Sequence, residues 1–94
     1  MTVADILRQV GEQESVALKE HVTLLALARI SRYEAECAVF EAKYAESFET
    51  FRQRIQAIKH QEDVEADDDL MDWEFAHRAL LGWREKLDAI RYAA

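Results

Sequence analysis

Marking the apolar residues along the chain divides it into four stretches. Val3, Ile6, Leu7 and Val10 give a short apolar face behind Thr2, which can cap a helix, and Asp5 stands where a carboxylate suits the N-terminal dipole. Gly11 and the polar run Glu12 to Ser15 then weaken the pattern. A single glycine costs a helix only about 1 kcal/mol, so a break at Gly11 and an unbroken helix both stay open, and residues 1–14 are read as an arm. From Ser15 the signal is strong. Ala26, Ile30, Tyr33, Cys37, Phe40 and Tyr44 alternate steps of four and three, the spacing of a coiled-coil seam. Leu18, Val22 and Leu25 carry that apolar surface toward the N-terminus. A second row of mostly small residues, Leu24, Ala28, Ser31, Ala35, Ala38 and Ala42, repeats the spacing on another face. The predicted element is one long helix over 15–45 with a bulky face and a flat one.

The rhythm stops at Ala45-Glu46-Ser47 and restarts with Phe48, Phe51, Ile55 and Ile58. This predicts a turn and a second helix over 47–60 capped by Ser47. The stretch Tyr33–Phe51 thus joins two helices, and it holds five of the seven Phe and Tyr residues. His60 to Asp69 has no period and reads as an acidic linker over 61–69. The final helix, 70–92, is the most regular: Trp73, Ala76, Leu80, Trp83, Leu87 and Ile90 step by three and four, with Asp67–Asp69 as the cap. Glu74 and Arg78 can pair one turn apart on its outside, and His77, one turn beyond Trp73, is expected to stack on that ring.

Composition narrows what this pattern can be. Ala, Glu, Lys, Leu and Arg make up 48 of 94 residues, with two glycines and no proline, the profile of long helices. A chain this short has little core of its own, so self-association is expected. The formal charge of −7 is uneven: residues 1–60 carry −1 and residues 61–94 carry −6. Between Glu62 and Glu74 there are eight acids and no base. Direct nucleic-acid binding is therefore not expected, since it needs clustered Lys and Arg; a basic protein partner or simple solvation is. The lone Cys37 offers no disulfide framework, and no apolar run approaches the ~20 residues of a membrane span. A cytoplasmic protein is expected, with no membrane partner.

Candidate chemistry is sparse. Asp63, Glu65, Asp67, Leu70 and Glu74 fall at positions one, three, five, eight and twelve of an EF-hand loop, but Asp68 takes position six, where the turn requires glycine. His21, His60 and His77 are scattered, without zinc spacing. Cys37 lies between Tyr33 and Phe40, surroundings that raise a thiol pKa and favour packing over reactivity. No carboxylate is placed for acid–base work and no phosphate loop or catalytic triad is present. Neither enzyme activity, nor a metal, nor a cofactor is expected.

The segment FEAKYAESFETF, Phe40 to Phe51, is similar to a motif of short prokaryotic helical proteins, close to FExKYGxSFExF, in which an acidic stretch and a Trp-bearing helix follow; DWEFAHRALLGW, Asp72 to Trp83, matches in style. Ala45-Glu46 stands where a glycine-containing turn is usual. Such proteins resemble antitoxin-type partners of TumE-like ribonuclease toxins. The resemblance implies that the acidic C-terminal third covers a basic RNA-binding surface of a toxin. It would do so through Asp63, Glu65, Asp67, Asp68, Asp69 and Asp72, with Trp73 as an apolar anchor. The alternative for these acids is a solvated linker and helix cap.

The sequence therefore predicts an all-α fold: a long helix, a shorter one and an antiparallel C-terminal helix, in a coiled-coil or helical-bundle homodimer. Its core or oligomer seam comprises Ala26, Ile30, Tyr33, Cys37, Phe40, Tyr44, Phe48, Phe51, Trp73, Leu80, Trp83 and Leu87. The first functional reading is a non-enzymatic protein-binding module of the antitoxin kind; a self-assembling structural oligomer is the second, and a calcium-responsive helical module the third.

Overall fold

The computed structural model describes residues 1–58 and 63–93. Among them the chain is all-α: α1 (Val3–Gln9), α2 (Glu14–Tyr44), α3 (Phe48–Ala57) and α4 (Val64–Arg91), with no strand. Local chemistry explains most of the boundaries. Thr2 and Asp5 form a reciprocal capping box at the start of α1. The expected arm is thus partly helical, and Gly11 ends the ambiguity there. Its φ of +78° lies in the left-handed region that glycine enters without a Cβ clash, and it separates α1 from α2.

Helix α2, 31 residues and about 46 Å long, ends at Ala45. That residue adopts a left-handed conformation (φ 53°, ψ 35°) and donates its N–H to the Glu41 carbonyl at 2.8 Å. Ser47 caps α3 as expected, accepting the Thr50 N–H at 3.2 Å. Helix α3 ends at Ala57, short of the expected 60; residues 59 and 60 lie outside the described residues.

The largest difference from the sequence reading is the acidic linker. Residues 61 and 62 lie outside the described residues, but 63–69 are the cap and opening turns of α4, which starts at Val64 rather than 70. Asp63 is the cap, accepting the Ala66 N–H at 3.0 Å, so Asp67–Asp69 are not. The acids themselves supply the reason. Glu65 and Asp67 occupy the first turn, where carboxylates are stabilised by the unpaired N–H groups and the positive end of the dipole. A helix start made of acids has no apolar period to reveal it.

Helix α4 runs antiparallel to α2. Lys43 meets Glu65 and Asp69 at one end, Glu34 meets Arg84 near the middle, and Lys19 donates to the Ala93 carbonyl at 3.0 Å at the other. The two seams face each other within one chain. Ala26, Ile30, Tyr33 and Cys37 of α2 are buried, as are Trp73, Ala76, Leu80 and Leu87 of α4, with Phe40, Tyr44, Trp83 and Ile90 half-buried beside them. Phe48 and Phe51 carry α3 onto one end of this pair. The molecule measures 64 × 26 × 19 Å. With α4 on the seam of α2, the outer row of α2 stays open: every member of the row Leu24, Ala28, Ser31, Ala35, Ala38 and Ala42 is exposed. No helix among the described residues is long and apolar enough to cross a membrane.

Candidate protein-binding surface

The acidic stretch is divided by its neighbours into two groups. Lys43 at the end of α2 places its Nζ 2.6 Å from Glu65 Oε1 and 2.6 Å from Asp69 Oδ2, and the Tyr44 hydroxyl donates to the same Asp69 oxygen. The Asp69 side chain is 16% exposed. The hydrogen bond from Lys43, then that from Tyr44, holds its carboxyl below the usual range. Burial pushes the Tyr44 phenol up, and its bond to Asp69 adds to the effect. The hydrogen bonds to Asp69 and Glu65 raise Lys43. With Asp63 engaged as the cap, three of the six nominated acids are tied down by side-chain hydrogen bonds that start α4 and fasten it to the end of α2.

Asp67, Asp68 and Asp72 form the second group. All three are exposed and none has a salt-bridge partner among the described residues. Trp73, nominated as the apolar anchor, is 0% exposed and sits at the centre of the core. Four rings touch it: Phe40 stacks at 5.6 Å between centroids, Tyr44 at 6.4 Å, Phe51 tilts at 5.2 Å and Phe48 meets it edge-on at 5.7 Å. A partner cannot reach it without opening the fold. His77 does not stack on Trp73 as expected, but on Phe48 at 4.6 Å, because α3 packs on that flank of α4.

Sequence reasoning missed the apolar groups that accompany the unpaired acids. Val64, Met71 and Phe75 of α4 and Val39 of α2 are all about two-thirds exposed, at 68%, 69%, 65% and 64%. Phe75 reaches the edge of Tyr33, at 6.1 Å, and with Glu36, Val39, Phe40 and Asp72 lines a shallow groove of about 350 Å³ between α2 and α4. The clue was present: Phe75 and Met71 are large apolar residues off the seam of a helix whose seam is otherwise faultless.

Other nominated chemistry finds little geometric support. Of the positions matching an EF-hand loop, Asp63 caps α4 and the others are wound into that helix, and no group of three or more His, Cys, Asp or Glu suited to a metal occurs among the described residues. Cys37 is buried, and its thiol pKa is raised by that burial first and by Glu41 and Glu36 second. Arg54 bridges to Glu46 at 2.6 Å and lies over the Phe51 ring, 5.4 Å from its centroid, bracing α3 against the turn. No family model matches the chain, and neither the search of curated proteins nor that of solved structures finds a match.

Proposed function

We propose that this chain is a non-enzymatic protein-binding module that covers a basic surface of a partner with the opening turns of α4. The reading rests on one observation above all: Asp67, Asp68 and Asp72 are exposed and without salt-bridge partners among the described residues, while their neighbours Asp63, Glu65 and Asp69 are held by the fold. A carboxylate cluster on a rigid helix presents its charge without an ordering cost at binding, which favours fast capture of a basic partner. The partner is a small basic toxin, as the resemblance of Phe40–Phe51 to the antitoxin motif implies, and binding neutralises it by occupying its substrate surface.

Co-expression with the product of the adjacent gene tests this. A small basic protein is expected to co-purify, and the triple variant Asp67→Asn, Asp68→Asn, Asp72→Asn to lose it while remaining helical by circular dichroism. Absence of a partner, or binding indifferent to the triple variant, would overturn the reading.

A second reading, self-assembly into a homodimer or higher helical oligomer, is favoured by the outer face of α2, where Leu24 is 66% exposed beside a row of small side chains that permit close helix approach. Light scattering over a concentration series decides it; a monomer at every concentration would exclude it.

A further inference from the structure

Helices α2 and α4 form a two-helix layer with a groove on each side, and among the described residues the chain fills one of them. On the first side α3 lies against the layer: Phe48 stacks on His77, and Phe51 packs on Trp73 and Tyr44. Phe75 is two residues from His77 and therefore about 200° away around α4, so it marks the opposite side. There the groove between Val39 and Phe40 of α2 and Asp72 and Phe75 of α4 holds no helix of this chain among the described residues. Met71 continues the apolar surface past Phe75, the two lining a common depression one turn apart on α4. Resting on the reading proposed above, we infer that this second groove is the seat of an amphipathic helix from the partner, basic on its flanks, which packs as α3 does on the other side and completes a four-helix arrangement.

Three features select that occupant. The direction of a groove between antiparallel helices suits a third helix whose apolar side chains recur at one-turn spacing, as Met71 and Phe75 do. The charge along it is negative: Asp72 lines it, Asp68 precedes Asp72 by one turn on the same face of α4, and both are unpaired among the described residues. Glu36 and Glu74, also at the rim, are balanced by Arg32 at 3.2 Å and Arg78 at 2.7 Å. Lysine or arginine beside the partner's apolar stripe would meet the two unpaired aspartates. A second copy of this chain is disfavoured here, because a two-fold interface brings the same patch of both subunits together and would set aspartates against aspartates.

The test uses the full chain and a designed 16-residue Leu/Lys helix with leucines one turn apart, beside the same peptide with Glu in place of Lys. The Lys peptide is expected to bind in titration calorimetry and to shift the amide signals of Val39, Met71, Asp72 and Phe75; the Glu peptide is not. Met71→Ser with Phe75→Ser should weaken binding by about tenfold or more, and Asp68→Asn with Asp72→Asn should remove most of its salt dependence. Met71→Ser alone alters only a 69%-exposed side chain, so a drop in affinity there cannot be ascribed to unfolding. Shifts confined to the outer row of α2, or no binding by either peptide, would overturn the inference. So would a dimer that Phe75→Ser dissociates, since the occupant would then be a second copy. A co-purifying partner that needs the acids but tolerates Met71→Ser and Phe75→Ser would leave the proposed function standing and remove this inference. A peptide seated in the groove with no partner in cells would do the reverse.

Discussion

The two ends of the α2–α4 hairpin obey the same seam rule and are built very differently. At the end where α2 stops, three helices meet and five rings, Phe40, Tyr44, Phe48, Phe51 and Trp73, pack on one another face-on or edge-on; Phe51 and Trp73 are fully buried. At the other end two helices alone share the seam. Ala26 contributes a buried methyl from α2 and Leu87 a buried side chain from α4, while Leu18, Leu24 and Leu27 remain substantially exposed. Helix α1 adds no buried residue. Periodicity therefore defines which face of a helix turns inward, while the number of neighbouring elements decides how much area is removed from water. The aromatic end is the folding core; the far end is a ribbon held by a narrow seam and by the Lys19 bond to Ala93.

The strongest way to break this comparison is to truncate one buried side chain at each end. Trp73→Ala empties the centre of the aromatic cluster and is expected to cost about 3–5 kcal/mol, enough to unfold a small domain. Leu87→Ala in the ribbon should cost about 2–3 kcal/mol, at the low end for leucine because two helices can collapse where three cannot. Urea denaturation measures both. Losses in simple proportion to the side-chain volume removed would show that the ends are energetically alike. Hydrogen exchange sharpens the same point: amides of 14–25 should open at lower free energy than those of 37–44 and 69–80.

The Lys43–Tyr44–Asp69 clamp ties the aromatic end to the start of α4 and gives it a pH signature. Tyr44→Phe removes the hydroxyl that Asp69 accepts from and should cost about 1 kcal/mol. The Asp69 carboxyl is depressed from an ordinary value of 3.8, so its contribution is complete above that value and is lost as pH falls through the lower folded value. Tyr44 is raised from 10.0; its contribution is complete below pH 10 and is lost as pH rises beyond it. Thermal melts from pH 2 to 11 should show both limbs. Asp69→Asn should flatten the acid limb and weaken the alkaline one, whereas an unchanged profile would mean the clamp contributes nothing.

How much of this was legible in the sequence follows from the range of each interaction. The seam of α4 could be read because every member answers to its own helix, and the Ser47 cap because a cap bonds three residues on. The clamp could not, since Lys43 and Asp69 are 26 residues apart and nothing local joins them. The beginning of α4 was hidden because its opening turns are stabilised by charge rather than by an apolar face. The sequence pattern suits Trp73 equally to the core and to a partner surface, and the placement of α3 over one flank of α4 separates those roles. The same placement exposes Phe75 on the other flank, which no single-helix pattern can distinguish from ordinary surface.

Gly82 sharpens the comparison from the weaker side. It lies within α4 in the two-helix portion, and an added Cβ would meet only the Lys86 ammonium, at 4.0 Å. Gly82→Ala should stabilise the chain by about 1 kcal/mol through helix propensity alone. If the ribbon opens before the aromatic end, the substitution should slow exchange in the C-terminal half of α4 more than at residues 69–73. A uniform rise in protection would instead mean that the two ends unfold together.

The smallest expected effect lies in the turn beside the rings. Ala45 holds φ at 53°, a left-handed conformation that costs an L-residue with a Cβ about 1–2 kcal/mol and glycine very little. Ala45→Gly relieves that strain but gives the unfolded chain more freedom, which offsets part of the gain. The net expectation is about 0.5 kcal/mol of added stability, seen as a small rise in the urea midpoint at unchanged slope. The rings need not move for this to happen, because Glu41 still accepts the N–H of residue 45. If Ala45→Gly instead destabilises, the methyl would have to be restricting the unfolded chain more than it strains the fold. The connection between α2 and α3 would then owe its geometry to the packing of Phe48 and Phe51 on Trp73, with the turn merely following.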